Sequence, residues 1–337
     1  MSPRRGMLSN TKFLLFFYIV AFSTVTVWIT YLYGFSCEAT DKPPPPAEHS
    51  SFLEVQMLKA KLKHYEDLSE KSIQSKGEVN NLPFIYAITP TFTRPVQKAE
   101  LVRLTLAFLH VKNFHWIVVE DSTEKTDLVG NFLQDCGLPF THLHVKTNEQ
   151  FQLKSTDPNW KQPRGVDQRN AGIEWLLKAH REEKLKPGVV YFADDDNTYS
   201  LQLFREMRHT RKASVWPVGL VGGLRFERPI VSSSGKVTGW YTVWDPSRPF
   251  AMDMAGFAIN LSLLTSHPEA RFDIRSRRGY VESSLLTSLG VTLSDLEPKA
   301  DNCSKVYVWH TRTEKPNWKQ EVKLIAAGRP SDPRIEV

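Results

Sequence analysis

The apolar run Val189-Val190-Tyr191-Phe192-Ala193 passes without a break into Asp194-Asp195-Asp196, and this junction constrains the fold more than any other stretch of the chain. A continuous apolar segment suits a strand buried on both faces of a sheet, and open α/β sheets bind ligands just beyond the carboxyl ends of such strands. The three acids therefore stand where a ligand would be. Carboxylates packed this closely repel one another, and a bound divalent cation is the usual relief. An acidic triplet alone is more often a solvated loop. The strand in front of this one, entered through Pro187-Gly188, argues instead for a metal that meets a diphosphate.

From Phe13 to Cys37 no residue is charged, and the segment is long enough to cross a bilayer as one helix. It exceeds the apolar core of a typical signal peptide, and no small-residue cleavage pattern ends it. Arg4, Arg5 and Lys12 precede it, whereas Glu38 and Asp41 follow. The positive-inside rule then gives a cytoplasmic tail (1–12), a transmembrane signal anchor (13–35) and a lumenal body, a single-pass type II topology. Residues 36–81 read as a stem: Pro43 to Pro46 form a stiff polyproline segment, and Lys71 to Asn81 is polar linker. Between them, Val55, Leu58, Leu62 and Tyr65 share one helix face, which suits either a short coiled coil or a solvated amphipathic helix.

A lumenal body gives meaning to two acceptor patterns for N-glycosylation, Asn260-Leu261-Ser262 and Asn302-Cys303-Ser304. Asn260 lies in an apolar stretch, so Asn302 is the better acceptor. Three cysteines are too few for a disulfide framework, and a hydrophobic core must hold the body. Cys37 is placed to crosslink two chains just outside the membrane, while Cys136 and Cys303 read as core thiols or as a single bridge.

From Leu82 the composition becomes globular, and 256 residues suffice for one large domain or two fused halves. Strands are expected at Phe84 to Thr89, Trp116 to Glu120 and Thr141 to Val145, and helices at Gln97 to His110, Thr126 to Asp135 and Val166 to His180. That is a nucleotide-binding α/β pattern, taken as 82–197. The remainder, 198–337, is mixed: Ser214 to Val221 reads as one strand, Ser233-Ser234-Gly235-Lys236 as the turn of a hairpin ending in Trp240 to Trp244, and Val306 to Trp309 as a further strand. No phosphate-binding glycine fingerprint appears. A net charge of +6 on a lumenal protein suits anionic sugars or phosphates and excludes nucleic acid as partner. Two basic clusters offer help to a diphosphate, Arg164 with Arg169 at a predicted helix start, and His310 with Arg312 after an apolar strand.

Taken together, Thr89-Pro90-Thr91, Pro95 to Leu101, Val119-Glu120-Asp121, Tyr191 to Tyr199, Ser214 to Val218, Arg248-Pro249-Phe250, Asp253 to Phe257 and Trp309 to Lys315 closely resemble the beta-1,3-glucuronosyltransferases of animals, from Leu82 to Val337 without a large gap. The resemblance implies a GT-A glycosyltransferase fold, a nucleotide-binding α/β half fused to a mixed acceptor half. It implies an inverting, metal-dependent transfer of glucuronic acid from UDP-glucuronic acid to a terminal galactose, with manganese as cofactor. A homodimeric enzyme anchored in the Golgi membrane is the expected setting.

By the same resemblance Asp196 holds the metal, Asp194 and Asp195 lie on the uridine ribose side, and Asp121 meets the uracil. Arg164, Arg169, His310 and Arg312 neutralise the diphosphate and the donor carboxylate. Glu282, in Gly279-Tyr280-Val281-Glu282, is the general base; without the resemblance it reads as a helix-start or salt-bridge acid. Glu227, Arg248 and Asp253 hold the acceptor, and Trp244 offers it an aromatic face, although Trp244 could equally be core. The tyrosine that usually follows Thr-Pro-Thr is Phe92 here, which preserves stacking on the base and loses a hydroxyl.

One branch of the family completes the glycosaminoglycan linkage tetrasaccharide of proteoglycans on galactose-beta-1,3-galactose; another caps N-acetyllactosamine glycans to make the HNK-1 precursor. Gln320, matching a glutamine that linkage enzymes extend from a partner subunit, and the ending Ser331 to Val337 resemble the first branch, which is the expected one. Asn170-Ala171-Gly172 and Gly239-Trp240-Tyr241-Thr242 look more like the second. Asp194-Asp195-Asp196-Asn197-Thr198 also fits the D-x-D-x-T pattern of haloacid-dehalogenase-like phosphohydrolases, where the first Asp is a nucleophile. That motif normally opens its domain, whereas here three α/β segments precede it. A non-catalytic glycan-binding protein is a third reading, disfavoured because base and metal ligand are both present.

Overall fold

A computed structural model describes residues 59, 61–63, 82–153, 156–158, 161–332 and 335. The chain divides into two units, Met1–Lys71 and Ser72–Val337. Of the first unit only residues 59 and 61–63 are described, and they are helical. The expected tail, anchor, polyproline segment and Cys37 lie outside the described residues. No helix among the described residues is long and apolar enough to cross a membrane.

The second unit is an α/β fold whose main sheet has seven strands. Four of them run parallel: β1 (Phe84–Thr91), β2 (Phe114–Glu120), β3 (Phe140–His144) and β4 (Gly188–Phe192). From the second half of the chain come β6 (Ala213–Val215), β10 (Phe257–Asn260) and β11 (Leu296–Pro298), giving the order β11-β6-β10-β4-β1-β2-β3. β10 is antiparallel to both β4 and β6. The two halves read from the sequence therefore share one sheet, and β4, every residue of which is buried, lies at its centre.

Period-two alternation along these strands splits the core between the two faces of the sheet. Tyr86, Ile88, Ile117, Val119, Val190 and Phe192 pack with Ile173, Leu176 and Leu177 of helix α3 (Val166–Arg181). The alternate residues Ile85, Ala87, Trp116, Val118, Val189 and Tyr191 pack with Leu101, Leu104 and Phe108 of α1 (Gln97–Phe108), with Val129 and Leu133 of α2 (Asp127–Asp135), and with Leu203 and Phe204 of α4 (Leu201–Met207). Phe108 meets Trp116 edge-on at 5.3 Å and Phe204 at 5.6 Å. Truncating such a ring to alanine costs about 3–5 kcal/mol.

A smaller five-stranded sheet has the order β5-β12-β7-β8-β9, with β5 (Thr198–Tyr199), β7 (Val218–Gly219), β8 (Phe226–Val231), β9 (Val237–Tyr241) and β12 (Val308–Trp309). Here the structure corrects the expected strand Ser214 to Val221. It is two strands, β6 and β7, in different sheets, because Pro217 lacks an N–H for a ladder. Trp216 instead donates its backbone N–H to Gly256 and its indole to the Ala255 carbonyl at 2.8 Å. The expected hairpin forms around Gly235, but its second strand stops at Tyr241. The chain continues through α5 (Leu261–Thr265), α6 (Val281–Ser288) and a terminal helix α7 (Lys319–Ala326).

Between β11 and β12 the chain makes a left-handed turn, with φ of 56°, 55°, 52° and 59° at Ala300, Asp301, Asn302 and Cys303. Left-handed geometry costs about 1–2 kcal/mol per L-residue, least for Asn. Bonds from Ala300 N to Glu206 Oε2 (3.1 Å) and from Cys303 N to the Lys299 carbonyl (2.8 Å) hold it. Cys303 and Cys136 are both buried free thiols, so the single bridge between them does not form. Burial pushes the Cys303 thiol up to about 12.

Candidate active site

The carboxyl ends of β1, β2 and β4 converge, as parallel strands of an open sheet must. Thr91, Asp121 and the acid triplet meet there. Each of the three acids is met by a different arginine. Arg169 of α3 pairs with the Asp194 carboxylate. Arg94, from the loop after β1, lies 2.7 Å from Asp195 Oδ1, while Thr91 Oγ1 donates to Asp195 Oδ2 at 2.7 Å. Asp195 is only 6% exposed, and its carboxylate ties the triplet to β1. At Asp196 the arginine reaches only the backbone: Arg103 of α1 donates to the carbonyl at 2.8 Å.

The Asp196 carboxylate is thus left without an ion-pair partner among the described residues. Burial and the neighbouring Asp194 and Asp195 push it up to about 6, against an opposing pull from His310. A bound cation would relieve that repulsion. Among the described residues no group of three or more His, Cys, Asp or Glu is arranged to hold a metal. A single carboxylate such as that of Asp196 would hold a hard cation only with phosphate oxygens and water completing its shell. Buried polar atoms without a hydrogen-bond partner lie beside the triplet: Arg169 Nε and both amide atoms of Asn197. Such atoms call for a polar ligand.

The other predicted donor residues surround this point unevenly. Asp121 directs both oxygens to Thr147, accepting from its N–H and its hydroxyl at 2.8 Å each. Phe92 is half exposed at the rim, with the Arg94 guanidinium 4.5 Å from its ring centroid. Arg164 is exposed, and its carbonyl accepts from Arg169 Nη1 at 2.8 Å. Gly165 between them has φ of +70°, and a Cβ there would come within 2.8 Å of Arg169 Nη1 and 3.1 Å of Pro90. Only glycine fits. His310 follows β12, and the exposed Arg312 reaches back toward its Nε2 at 3.5 Å.

The predicted acceptor residues gather around Asp253. This residue caps the short helical turn Met254–Gly256 by accepting from Ala255 N at 3.0 Å, and Tyr191 Oη and Trp216 Nε1 both donate to the Ala255 carbonyl. Burial would raise the Asp253 carboxyl, but His310, together with the Ala255 N–H and Arg169, outweighs it and holds the group below the usual range. The same carboxylate raises His310, against burial.

Glu282 is the second residue of α6. Burial pushes it up to about 7, Asp253 adds to the shift, and Arg248 and Arg169 oppose it. Glu227 on β8 is buried, raised by that burial, and accepts from Thr242 Oγ1 at 2.5 Å. Arg248 is buried with its Nη1 on the Gly279 carbonyl. Trp244 is 46% exposed, which sets aside its core reading, and Arg278 lies 4.2 Å above its ring.

Two predicted residues stand apart. Gln320 lies on α7, which buries none of its side chains and makes no hydrogen bond to the residues above among those described. Asn260 is the N-cap of α5, with Oδ1 accepting from Ser262 N (2.8 Å) and Nδ2 donating to the Thr210 carbonyl (2.8 Å). Its amide nitrogen is engaged in the fold, whereas Asn302 is exposed. Sequence reading missed Arg94, Arg103 and Thr311. Each makes its contact with the triplet only through the tertiary fold, and no spacing announces it.

Comparison with known proteins yields one family and a set of near relatives. The family model for Glycosyltransferase family 43 matches residues 104–314. Galactosylgalactosylxylosylprotein 3-beta-glucuronosyltransferase 1 of Rattus norvegicus is 54% identical over 261 residues, 77% of this chain and 76% of that protein. The corresponding enzyme 3 of Mus musculus is 55% identical over 268 residues, covering 77% and 79%. Enzyme 2 of Rattus norvegicus is 54% identical over 261 residues, covering 76% and 78%.

Proposed function

Because the chain belongs to glycosyltransferase family 43, we propose that it is a GT-A, inverting 3-beta-glucuronosyltransferase that moves glucuronic acid from UDP-glucuronic acid to the terminal galactose of the glycosaminoglycan-protein linkage region. The observation that carries this reading is the division of the site. Arginine-bound acids with one unpaired carboxylate form its donor side, and a separate carboxyl poised near neutrality, Glu282, stands within electrostatic reach of Asp253 and Arg169.

Arg169, Arg164, His310 and Arg312 bind and orient the diphosphate and the donor carboxylate, and Phe92 stacks on the base with Asp121 beside it. Asp194 and Asp195 fix the ribose side. Asp196 would hold manganese, which when bound supplies positive charge to the departing diphosphate. Glu227, Arg248 and Asp253 hydrogen-bond the acceptor hydroxyls, and the half-exposed Trp244 faces the galactose ring. Glu282 removes the proton from the galactose 3-hydroxyl as that oxygen bonds to the anomeric carbon. The bond from that carbon to the diphosphate oxygen breaks on the opposite side, and UDP leaves with the electron pair. A carboxyl poised near 7 suits a base working at neutral pH.

The uncharged segment Phe13 to Cys37 supports single-pass type II anchoring in the Golgi membrane. Exposed Trp318, Val322 and Ile325 on and beside α7 support a homodimer in which Gln320 of one protomer reaches the acceptor of the other. Exposure of Asn302 supports its use as the glycosylation site.

Incubation with UDP-glucuronic acid and manganese, offering galactose-beta-1,3-galactose and N-acetyllactosamine separately, tests the reading. Transfer to the first is expected. No transfer to either would sink the enzyme reading, and preference for the second would move the chain to the HNK-1 branch. An aspartyl-phosphate at Asp194 would favour a phosphohydrolase instead.

A further inference from the structure

The carbonyl oxygen of Asp196 accepts two hydrogen bonds from two different elements. Arg103 Nη2 reaches it from α1 at 2.8 Å, and Thr311 Oγ1 reaches it from the segment after β12 at 2.7 Å. The Thr311 hydroxyl has a single proton, which goes to Asp196, so Thr198 Oγ1, 3.0 Å away, is the donor to Thr311. Arg103 has a second arm: its Nη1 lies 3.3 Å from Thr313 Oγ1. One guanidinium therefore binds both the triplet and the segment that carries His310 and Arg312. The planar fork of arginine suits this double task; a lysine ammonium offers a single point of charge.

The neighbouring acids show why a backbone tie matters here. Asp194 and Asp195 are fixed through their side chains by Arg169, Arg94 and Thr91. An equivalent side-chain bond at Asp196 would occupy the carboxylate that the proposed metal needs. Anchoring the carbonyl instead fixes the position of Asp196 and leaves its carboxylate open. The same bonds set where His310 and Arg312 stand relative to it.

We propose that Arg103, acting with Thr311, is a positioning residue of the donor site. It holds the Asp196 carboxylate and the His310-to-Arg312 segment in the relative placement that a metal-diphosphate requires. The proposal rests on the reading of Asp196 as the metal carboxylate. It assigns to Arg103 no contact with the reacting atoms.

Its test is binding of UDP by calorimetry, with manganese and with a chelator, for the unsubstituted protein and for Arg103→Gln, Arg103→Lys and Thr311→Val, beside thermal melts without ligand. Arg103→Gln should weaken manganese-supported UDP binding about tenfold, the scale of losing one charge-assisted hydrogen bond. Binding in chelator should change less than twofold. Arg103→Lys should recover part of the loss by restoring the bond to Asp196 without the one to Thr313, and Thr311→Val should mimic the loss. Because both residues act on one carbonyl, the double variant should lose less than the product of the single losses.

Equal weakening with and without manganese would overturn the proposal. So would unaltered manganese-supported binding in both Arg103→Gln and Thr311→Val, or normal UDP binding combined with loss of UDP-glucuronic acid binding, which would make Arg103 a reader of the donor's sugar acid. Failure of the unsubstituted protein to bind UDP more tightly with manganese would instead sink the reading of Asp196.

Discussion

His310 Nδ1 stands 3.2 Å from Asp253 Oδ2, an ion pair that joins the end of β12 in the small sheet to the turn before β10 in the large one. The imidazole proposed for the donor side and the carboxylate proposed for the acceptor side are thereby neighbours. Each perturbs the other in the direction that keeps both charged: Asp253 below the usual carboxyl range and His310 above the usual imidazole value.

Asp253→Asn should therefore weaken donor as well as acceptor binding. Without the carboxylate His310 loses the largest influence that raises its pKa, and burial then opposes only the pull of Asp194 and Asp196, so the imidazole loses its charge at a lower pH. UDP affinity is expected to fall several-fold at pH 7.5, with the deficit shrinking toward pH 6 as His310 regains its proton. Calorimetry across that range checks it; a deficit independent of pH would refute the coupling.

Glu282→Gln should lower transfer by about 10²–10⁴, the usual range for removing a general base, while UDP binding stays unchanged. Transfer by the unsubstituted protein should rise with pH through about 7, because the base works only when ionised. Stability runs the other way. A carboxyl whose folded pKa is raised binds its proton more readily in the native state, so its contribution is complete below the unfolded value near 4.5 and is lost as pH rises through about 7. The Gln variant, free of that loss, should melt higher than the parent at pH 8 and no higher at pH 4.

Adjacent acids should behave oppositely on substitution. Burial raises the Asp195 carboxyl too, against Arg94 and Thr91, but Asp195→Asn leaves the part-buried Arg94 without that carboxylate and weakens the bond to Thr91, at about 2 kcal/mol in stability. Asp196→Asn removes a carboxylate that has no ion-pair partner among the described residues and two like-charged neighbours, so thermal stability should hold or rise while manganese-supported UDP binding disappears. Paired melts and calorimetry separate the two. A comparable loss of stability in both variants would show that the triplet is a single structural unit.

The parts of this site that were legible in the sequence are those where local pattern and tertiary role coincide. The apolar run from Val189 suits a doubly buried strand, which forms over Gly188–Phe192, and the acids stand just past its end. Val215 and Val218 show the limit: the residues between Ser214 and Val221 look like one strand, yet Trp216-Pro217 turns the chain out of one sheet and into another. Glu282 carries no local mark of a base, since a glutamate in the first turn of a helix is ordinary; its setting beside Asp253 and Arg248 exists only after folding. Arg94 and Arg103 were unreadable for the same reason, being 101 and 93 residues from the acids they serve.

Two glycines test whether donor and acceptor sides can be disturbed separately. Gly165 and Gly279 have φ of +70° and +77°, so alanine at either position incurs about 1–2 kcal/mol of backbone strain. What each Cβ meets differs. At Gly165 it would press on Arg169 Nη1 at 2.8 Å and on Pro90, displacing the guanidinium that binds Asp194; at Gly279 it would press on Arg248 Nη1 at 2.8 Å and Trp244 Nε1 at 2.9 Å, in the proposed acceptor wall. With similar losses of stability, Gly165→Ala should raise the KM for UDP-glucuronic acid about tenfold and leave the acceptor KM nearly unchanged, and Gly279→Ala should do the reverse. Steady-state kinetics with each substrate varied in turn gives the answer. If Gly279→Ala weakened the donor as much as the acceptor, the acceptor wall would have to be redrawn as part of the donor pocket, with Arg248 and Trp244 reaching across to it.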